Sequence, residues 1–167
     1  RQMFKAETPG PMKDSKMTPR MAETAKGLWA VYTLISVCCV LGYRWAGMTW
    51  LDAIMHMFST MGLGGFSSHD ASFGFFDSPA IEAVSIAFML IAGCNFATHY
   101  VVLSRRSFRP YVTDPEAGAF LLVTIGSVIG IAVFLDVHGA YPTFSEALRF
   151  SAFNVVSIAT TTGYAST

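Results

Sequence analysis

The sequence predicts an all-α integral membrane fold, built from repeats of span, short helix, glycine-bearing loop and span. Three observations predict it. Of the 167 residues, 53% are hydrophobic and only 13% charged, with a mean hydropathy of +0.47; a typical soluble domain carries about 25% charged residues. Apolar stretches long enough to cross a bilayer alternate with two that are too short, and each short one runs straight into a glycine-bearing loop. The two short stretches also resemble each other. The same composition argues against a disordered chain and an ordinary cytosolic enzyme. The balance of 11 basic and 11 acidic residues excludes a nucleic-acid binder, whose affinity needs a basic excess. Cys38, Cys39 and Cys94 lie in apolar runs. They suit neither a disulfide framework nor a zinc site and read as small apolar packing residues.

Taken in order, residues 1–26 are polar and basic, with a turn at Pro9-Gly10-Pro11 and a helix start at Thr18-Pro19. Residues 25–48 supply the roughly 20 apolar residues that a span needs, with Tyr43 and Trp45 as interfacial anchors and Arg44 snorkelling near one end. Residues 49–60 are apolar but reach only about 18 Å as a helix, short of a hydrocarbon core of about 30 Å. The loop Met61-Gly62-Leu63-Gly64-Gly65-Phe66-Ser67-Ser68 follows. Ser78-Pro79 caps a second span over 80–103, which ends at Arg105, Arg106 and Arg109. Pro110 and Pro115 punctuate a connection, and 118–137 is a third span. Residues 143–159 form another helix too short to cross, followed by Thr160-Thr161-Thr162-Gly163-Tyr164. The domain reading is a cytoplasmic basic linker or amphipathic helix at 1–26, a complete span–loop–span repeat at 27–104, a cytoplasmic connection at 105–116, and the first span, short helix and loop of a further repeat at 117–167. The basic residues in 1–26 and 104–114 put both on the cytoplasmic side. Both glycine loops then enter from the outside. With Arg at position 1 and a loop at the other end, the sequence reads as an excerpt of a longer membrane protein.

The two short helices open alike: Thr49 with Asp52, and Thr143 with Glu146, at capping-box spacing. Each then breaks into glycine, an aromatic and small residues, Gly65-Phe66-Ser67 against Gly163-Tyr164-Ala165. The distance from acid to glycine is one helical turn longer in the second copy. Self-similarity on this scale signals a repeat architecture.

Non-helical backbone at membrane depth is tolerated only where protein buries it or water lines it. Its exposed carbonyls can replace the hydration shell of an ion. Gly65 and Gly163 are the key positions, because aligning successive carbonyls needs dihedrals that a Cβ forbids. Thr160, Thr161 and Thr162 add hydroxyls that could cap or line lower sites. The C-terminal end of a helix carries roughly −0.5 charge, so four such ends around one axis would place about −2 there. Neither loop contains Lys, Arg, Asp or Glu. Backbone dipoles without an acidic ring suit a large monovalent cation better than calcium. The candidate ion-binding carbonyls are those of Leu63, Gly64, Gly65, Phe66, Thr160, Thr161, Thr162, Gly163 and Tyr164, with Thr60 and Gly62 in second rank. His56 reads as a buried hydrogen-bonding residue, Asp52 and Glu146 as caps, and Asn154 as a brace for the second loop. Arg105, Arg106 and Arg109 set topology and meet anionic membrane lipid.

Thr161-Thr162-Gly163-Tyr164 resembles the Thr-Val-Gly-Tyr filter of potassium channels. Residues 61–67, ending Gly-Phe-Ser, look like a filter of the Trk/Ktr/HKT superfamily of potassium transporters. The order of spans is most similar to the TrkH-like membrane subunit of the bacterial Trk potassium uptake system. The resemblance covers essentially the whole chain. It implies a K⁺-channel-like chain of four repeats under pseudo-fourfold symmetry, with one filter glycine per repeat, matched by Gly65 and Gly163. The present residues would hold the second repeat and the front of the third. The resemblance further implies K⁺ as the transported ion with no organic cofactor, location in the bacterial inner membrane, homodimers, and a TrkA-like cytoplasmic nucleotide-binding ring as partner. The family's intramembrane gate follows the third filter, beyond these residues.

Other functions fit less well. A haem-bearing redox subunit would need two histidines at one depth, whereas His99 is expected near the inner face and His56 in the outer half. An intramembrane hydrolase could use Ser59 and His56, three residues apart on one helix face, but there is no glycine-flanked nucleophile elbow. A water or small-solute facilitator would also have re-entrant half-helices, usually with Asn at their tips. The facilitator and the hydrolase stand as alternatives to a cation pathway.

Overall fold

The structure, a computed structural model, describes residues 21–166, apart from the side chains of Met21, Ala22 and Thr24. The turn and helix start expected before residue 21 lie outside the described residues. The described residues are helical, without strands, in seven α-helices. These are α1 (Met21–Ala46), α2 (Trp50–Met61), α3 (Pro79–Gly93), α4 (Phe96–Arg105), α5 (Arg109–Thr113), α6 (Pro115–Val137) and α7 (Phe144–Ala159). A 3₁₀ turn at Ser72–Phe75 lies between α2 and α3.

Both long helices end by the same device. Gly47, at φ +114°, follows α1; its N–H donates to the Arg44 carbonyl and that of Met48 to Tyr43. Gly139, at φ +63°, follows α6, with Gly139 bonded to Asp136 and Ala140 to Leu135. This is the Schellman pattern, which satisfies the last carbonyls and needs a left-handed residue that glycine supplies without a Cβ penalty. By length and composition, residues 25–46 and helix α6 can each cross a membrane. Helix α6 is apolar all round, with Leu122, Val123, Ile129 and Phe134 exposed, as a lipid-facing helix is.

The span expected over 80–103 is not one helix. It breaks at Cys94–Asn95 into α3 and α4, neither of which is long enough by itself to cross a membrane. The reason is local: the Asn95 side chain accepts from the Ala97 N–H at 2.9 Å and starts a new helix. Asn is a strong N-cap, and its effect is hidden in sequence by the apolar residues around it.

The chain folds as two compact units. Among the described residues, one comprises 21–35 together with 94–121, and the other 36–93 with 122–166. In the first, the Thr98 hydroxyl donates to Asp114 Oδ2 at 3.2 Å, while Asp114 Oδ1 caps α6 through the Glu116 N–H at 3.0 Å. His99 Nδ1 pairs with the Tyr111 hydroxyl. A Cβ on Gly27 would lie 2.3 Å from the Tyr100 ring, so glycine permits that close approach.

In the second unit, α3 packs against α2 and α7. Its core centres on Phe73 from the 3₁₀ turn, fully buried beside His56, Phe153 and Tyr164, with ring centroids 5.3, 5.1 and 4.5 Å away. Arg149 of α7 forks onto Glu82 of α3 with two 2.8 Å bonds, and Nη2 also reaches Asp77 at 3.0 Å. Glu82 is 2% exposed. A bidentate guanidinium is the partner such a carboxylate needs.

Candidate ion-binding loops

The loops after α2 and α7 share one backbone design. Each helix opens with a threonine cap: Thr49 Oγ1 accepts from the Asp52 N–H at 3.1 Å, and Thr143 Oγ1 from the Glu146 N–H at 3.3 Å. The acids do not complete the box in the same way. The Asp52 carboxylate turns to its own loop, accepting from the hydroxyls of Thr49 (2.7 Å) and Ser68 (3.0 Å) and lying 3.1 Å from His69 Nε2. These donors, Thr49 foremost, hold the Asp52 carboxyl below its ordinary range. Helix α2 has 12 residues and α7 has 16, so the second is longer by the expected turn.

Both helices end in the Schellman pattern without glycine at the left-handed position. In the first, the Leu63 N–H donates to Thr60 and Gly64 to Ser59; in the second, Thr161 donates to Ile158 and Thr162 to Ser157. Leu63 sits at φ +49° and Thr161 at φ +61°. A left-handed β-branched residue is a genuine outlier, at a cost of about 1–2 kcal/mol. Two residues later the sign turns positive again, at Gly65 (+68°) and Gly163 (+88°). Alternating left-handed and right-handed or extended residues brings successive carbonyls round to one side of the chain. Among the described residues no donor reaches the carbonyl oxygens of Leu63, Gly64, Gly65, Thr161, Thr162 or Gly163. Backbone oxygens left without a donor are the groups that can bind a cation.

The loops lie against each other. A Cβ on Gly65 would fall 2.1 Å from the Thr162 carbonyl oxygen and 3.2 Å from the Gly163 carbonyl carbon. Behind them the Tyr43 and Thr60 hydroxyls bond at 2.7 Å, and Thr60 meets the Tyr164 hydroxyl at 3.1 Å. The Tyr164 hydroxyl also donates to the His56 carbonyl at 3.2 Å. Beyond the second loop, the Phe73 N–H donates to the Ala165 carbonyl at 2.9 Å.

Several expected groups are placed differently. The hydroxyls of Thr160 and Thr162 do not line the free side of the loop. Both residues are buried and bond each other at 2.7 Å, because side chains alternate along the loop and Thr161 takes the exposed place. The Thr60 side chain is spent in the tyrosine network, and its carbonyl accepts from the Leu63 N–H. The Tyr164 carbonyl accepts from Ser157 Oγ at 2.7 Å. Gly62 is the C-cap of α2, and Phe66 is 81% exposed. Ser59 and His56 do not pair as nucleophile and base: His56 Nδ1 goes to the Asp52 carbonyl and Nε2 to Ser67 Oγ, both at 2.8 Å. Sequence reasoning missed Ser157, Glu82 and the pairing of Arg149. All three act across contacts that no spacing rule reveals.

These loops can be set beside known proteins. The family model for TrkH, described as a cation transport protein, matches residues 1–167. A Trk system potassium uptake protein TrkH of Salmonella typhimurium is 48% identical over 163 residues, 98% of this chain and 34% of that protein. The TrkH of Halomonas elongata is 48% identical over 162 residues, 97% of this chain and 33% of that protein. The chain thus spans about a third of the length of the curated relatives it matches. The crystal structure of the potassium transporter TrkH from Vibrio parahaemolyticus matches with a TM-score of 0.86 and 41% identity, over 90% of this chain and 33% of that one. By these descriptions they are transport proteins rather than enzymes. The chain belongs to the TrkH family of cation transport proteins.

Proposed function

We propose that the protein to which these residues belong takes up K⁺ across a bacterial inner membrane, which it crosses several times, through a filter of backbone carbonyls. These residues supply two of the four filter loops, within the domain boundaries read from the sequence. The observation that carries this reading is the paired backbone: left-handed residues at Leu63 and Gly65 and again at Thr161 and Gly163, in loops close enough that Gly65 admits no Cβ. The carbonyls of Leu63, Gly64, Gly65, Phe66, Thr160, Thr161, Thr162 and Gly163 are its ligands. Tyr164, Thr60 and Gly62 hold the loops in shape. Helices α2 and α7 aim their C-terminal ends at the loops and favour a cation there. The relatives' names, potassium uptake protein and potassium transporter, support the choice of K⁺. In the same reading the parent is a homodimer served by a TrkA-like nucleotide-binding ring.

The test is Rb⁺ tracer uptake into liposomes holding the full-length parent, wild type against Gly163→Ser. Uptake that K⁺ competes, and that the substitution abolishes or makes Na⁺-tolerant with folding intact, supports the filter. No uptake by wild type, with the cytoplasmic partner added, refutes it.

A further inference from the structure

Each loop is held from behind by one polar side chain of its own short helix. His56 and Asn154 both stand nine positions before their loop's left-handed glycine. Each is anchored on the carbonyl one turn earlier: His56 Nδ1 on Asp52 at 2.8 Å, Asn154 Nδ2 on Phe150 at 3.0 Å. Each also reaches a serine just past the glycine: His56 Nε2 meets Ser67 Oγ at 2.8 Å, and Asn154 Nδ2 donates to Ser166 Oγ at 3.1 Å.

Resting on the filter reading above, we infer that His56 and Asn154 are positioning residues that fix the outer end of each loop and so set its discrimination between K⁺ and Na⁺. The chemistry of the first brace is determined by its partners. The Asp52 carbonyl can only accept, so Nδ1 carries the proton. Nε2 of the neutral ring then accepts from the Ser67 hydroxyl, and Ser67 Oγ in turn accepts the His69 N–H at 3.2 Å. His56 is fully buried and packed edge-on against Phe73 and Phe76, which restrains its ring and so the tether. The second brace is a shorter amide reaching one residue further along, to a serine that is 4% exposed. Carbonyl oxygens discriminate by the cavity and the number of dipoles they offer the ion, and a tether at the loop's outer end bears on both. A fully buried imidazole on one loop and a shorter, half-buried amide on the other make the two loops unequal contributors.

The experiment is Rb⁺ uptake by the full-length parent in liposomes, competed separately by K⁺ and Na⁺. It compares wild type, Ser67→Ala, His56→Leu, their double variant, His56→Gln and Asn154→Leu. The expected effect of losing this one buried hydrogen bond is a fall in K⁺-over-Na⁺ preference of about twofold to tenfold. Ser67→Ala and His56→Leu are expected to show that loss alike, and the double variant no more than either. His56→Gln places an amide where Nε2 stood and keeps the preference; Asn154→Leu shows a smaller loss. Ser67→Ala removes a single oxygen, so it decides the matter if His56→Leu does not fold. Unchanged preference in Ser67→Ala, or uptake reduced in proportion to protein yield with preference intact, overturns the brace and leaves the filter standing. A wild type that takes up Rb⁺ without preferring K⁺, or takes up none, overturns both.

Discussion

Gly65→Ala is the sharpest perturbation this architecture offers. The new Cβ would sit 2.1 Å from the Thr162 oxygen, where real contacts essentially never fall below 3.0 Å. The second loop must therefore retreat by about 1 Å in a region packed to crystal-like density. Overpacking of this kind costs about 1–3 kcal/mol, and holding alanine at φ +68° adds about 1 kcal/mol. Gly64→Ala is the control in the same loop. Its nearest neighbour is the edge of the Phe66 ring at 3.3 Å, an 81% exposed side chain that can swing away, so it should cost about 0.5 kcal/mol or less. Thermal unfolding of the two full-length variants in detergent, followed by Rb⁺ uptake, tests the difference. Gly65→Ala should lower the midpoint by several degrees and lose uptake, while Gly64→Ala stays near wild type. Equal midpoints with uptake retained in both would refute the claim that the loops touch at Gly65.

Other substitutions probe the supports. Glu82→Gln should cost about 2–3 kcal/mol in unfolding experiments, because it strands the Arg149 fork against a buried site, whereas Asp77→Asn, removing an 81% exposed partner, should cost about 0.5 kcal/mol or less. Tyr164→Phe and Thr60→Val should each lose about 1 kcal/mol and, sharing one hydroxyl network, should combine to less than their sum in a double-mutant cycle. Asp52 is more acidic folded than unfolded, so its carboxylate stabilises the protein above the ordinary carboxyl range and that stability drains away as pH falls through its lowered value; Asp52→Asn should flatten the acid limb of a stability–pH profile, and an unchanged limb would remove Asp52 from the account.

The repeat could be read from the sequence because its marks are chemical types at fixed spacing. Thr49 with Asp52, Thr143 with Glu146, and a glycine before an aromatic all survive in one dimension. The long helices were equally open to view, since composition alone decides whether a helix suits a bilayer. The break at Asn95 was not, because one capping side chain within an apolar run changes neither length nor hydropathy. The left-handed Leu63 and Thr161 were also hidden: no residue type announces that a leucine or a β-branched threonine will be forced where glycine belongs. Thr160 to Thr162 illustrate a third limit. Their hydroxyls were visible as a polar run, but which side each faces follows from the loop's alternation, and two of the three turn inward. The Arg149–Glu82 fork joins residues far apart in sequence, and no local pattern brings them together.

The contact between Gly65 and the Thr162 carbonyl also has a consequence in time. The first loop is one wall of a space whose other wall is translated roughly a hundred residues later, about 5–20 s at ordinary synthesis rates. Through that interval helix α2 can form, cap itself through Thr49 and tether its loop through His56 and Ser67, but the wall that Thr162 contributes is absent. The first loop is made early and completed late.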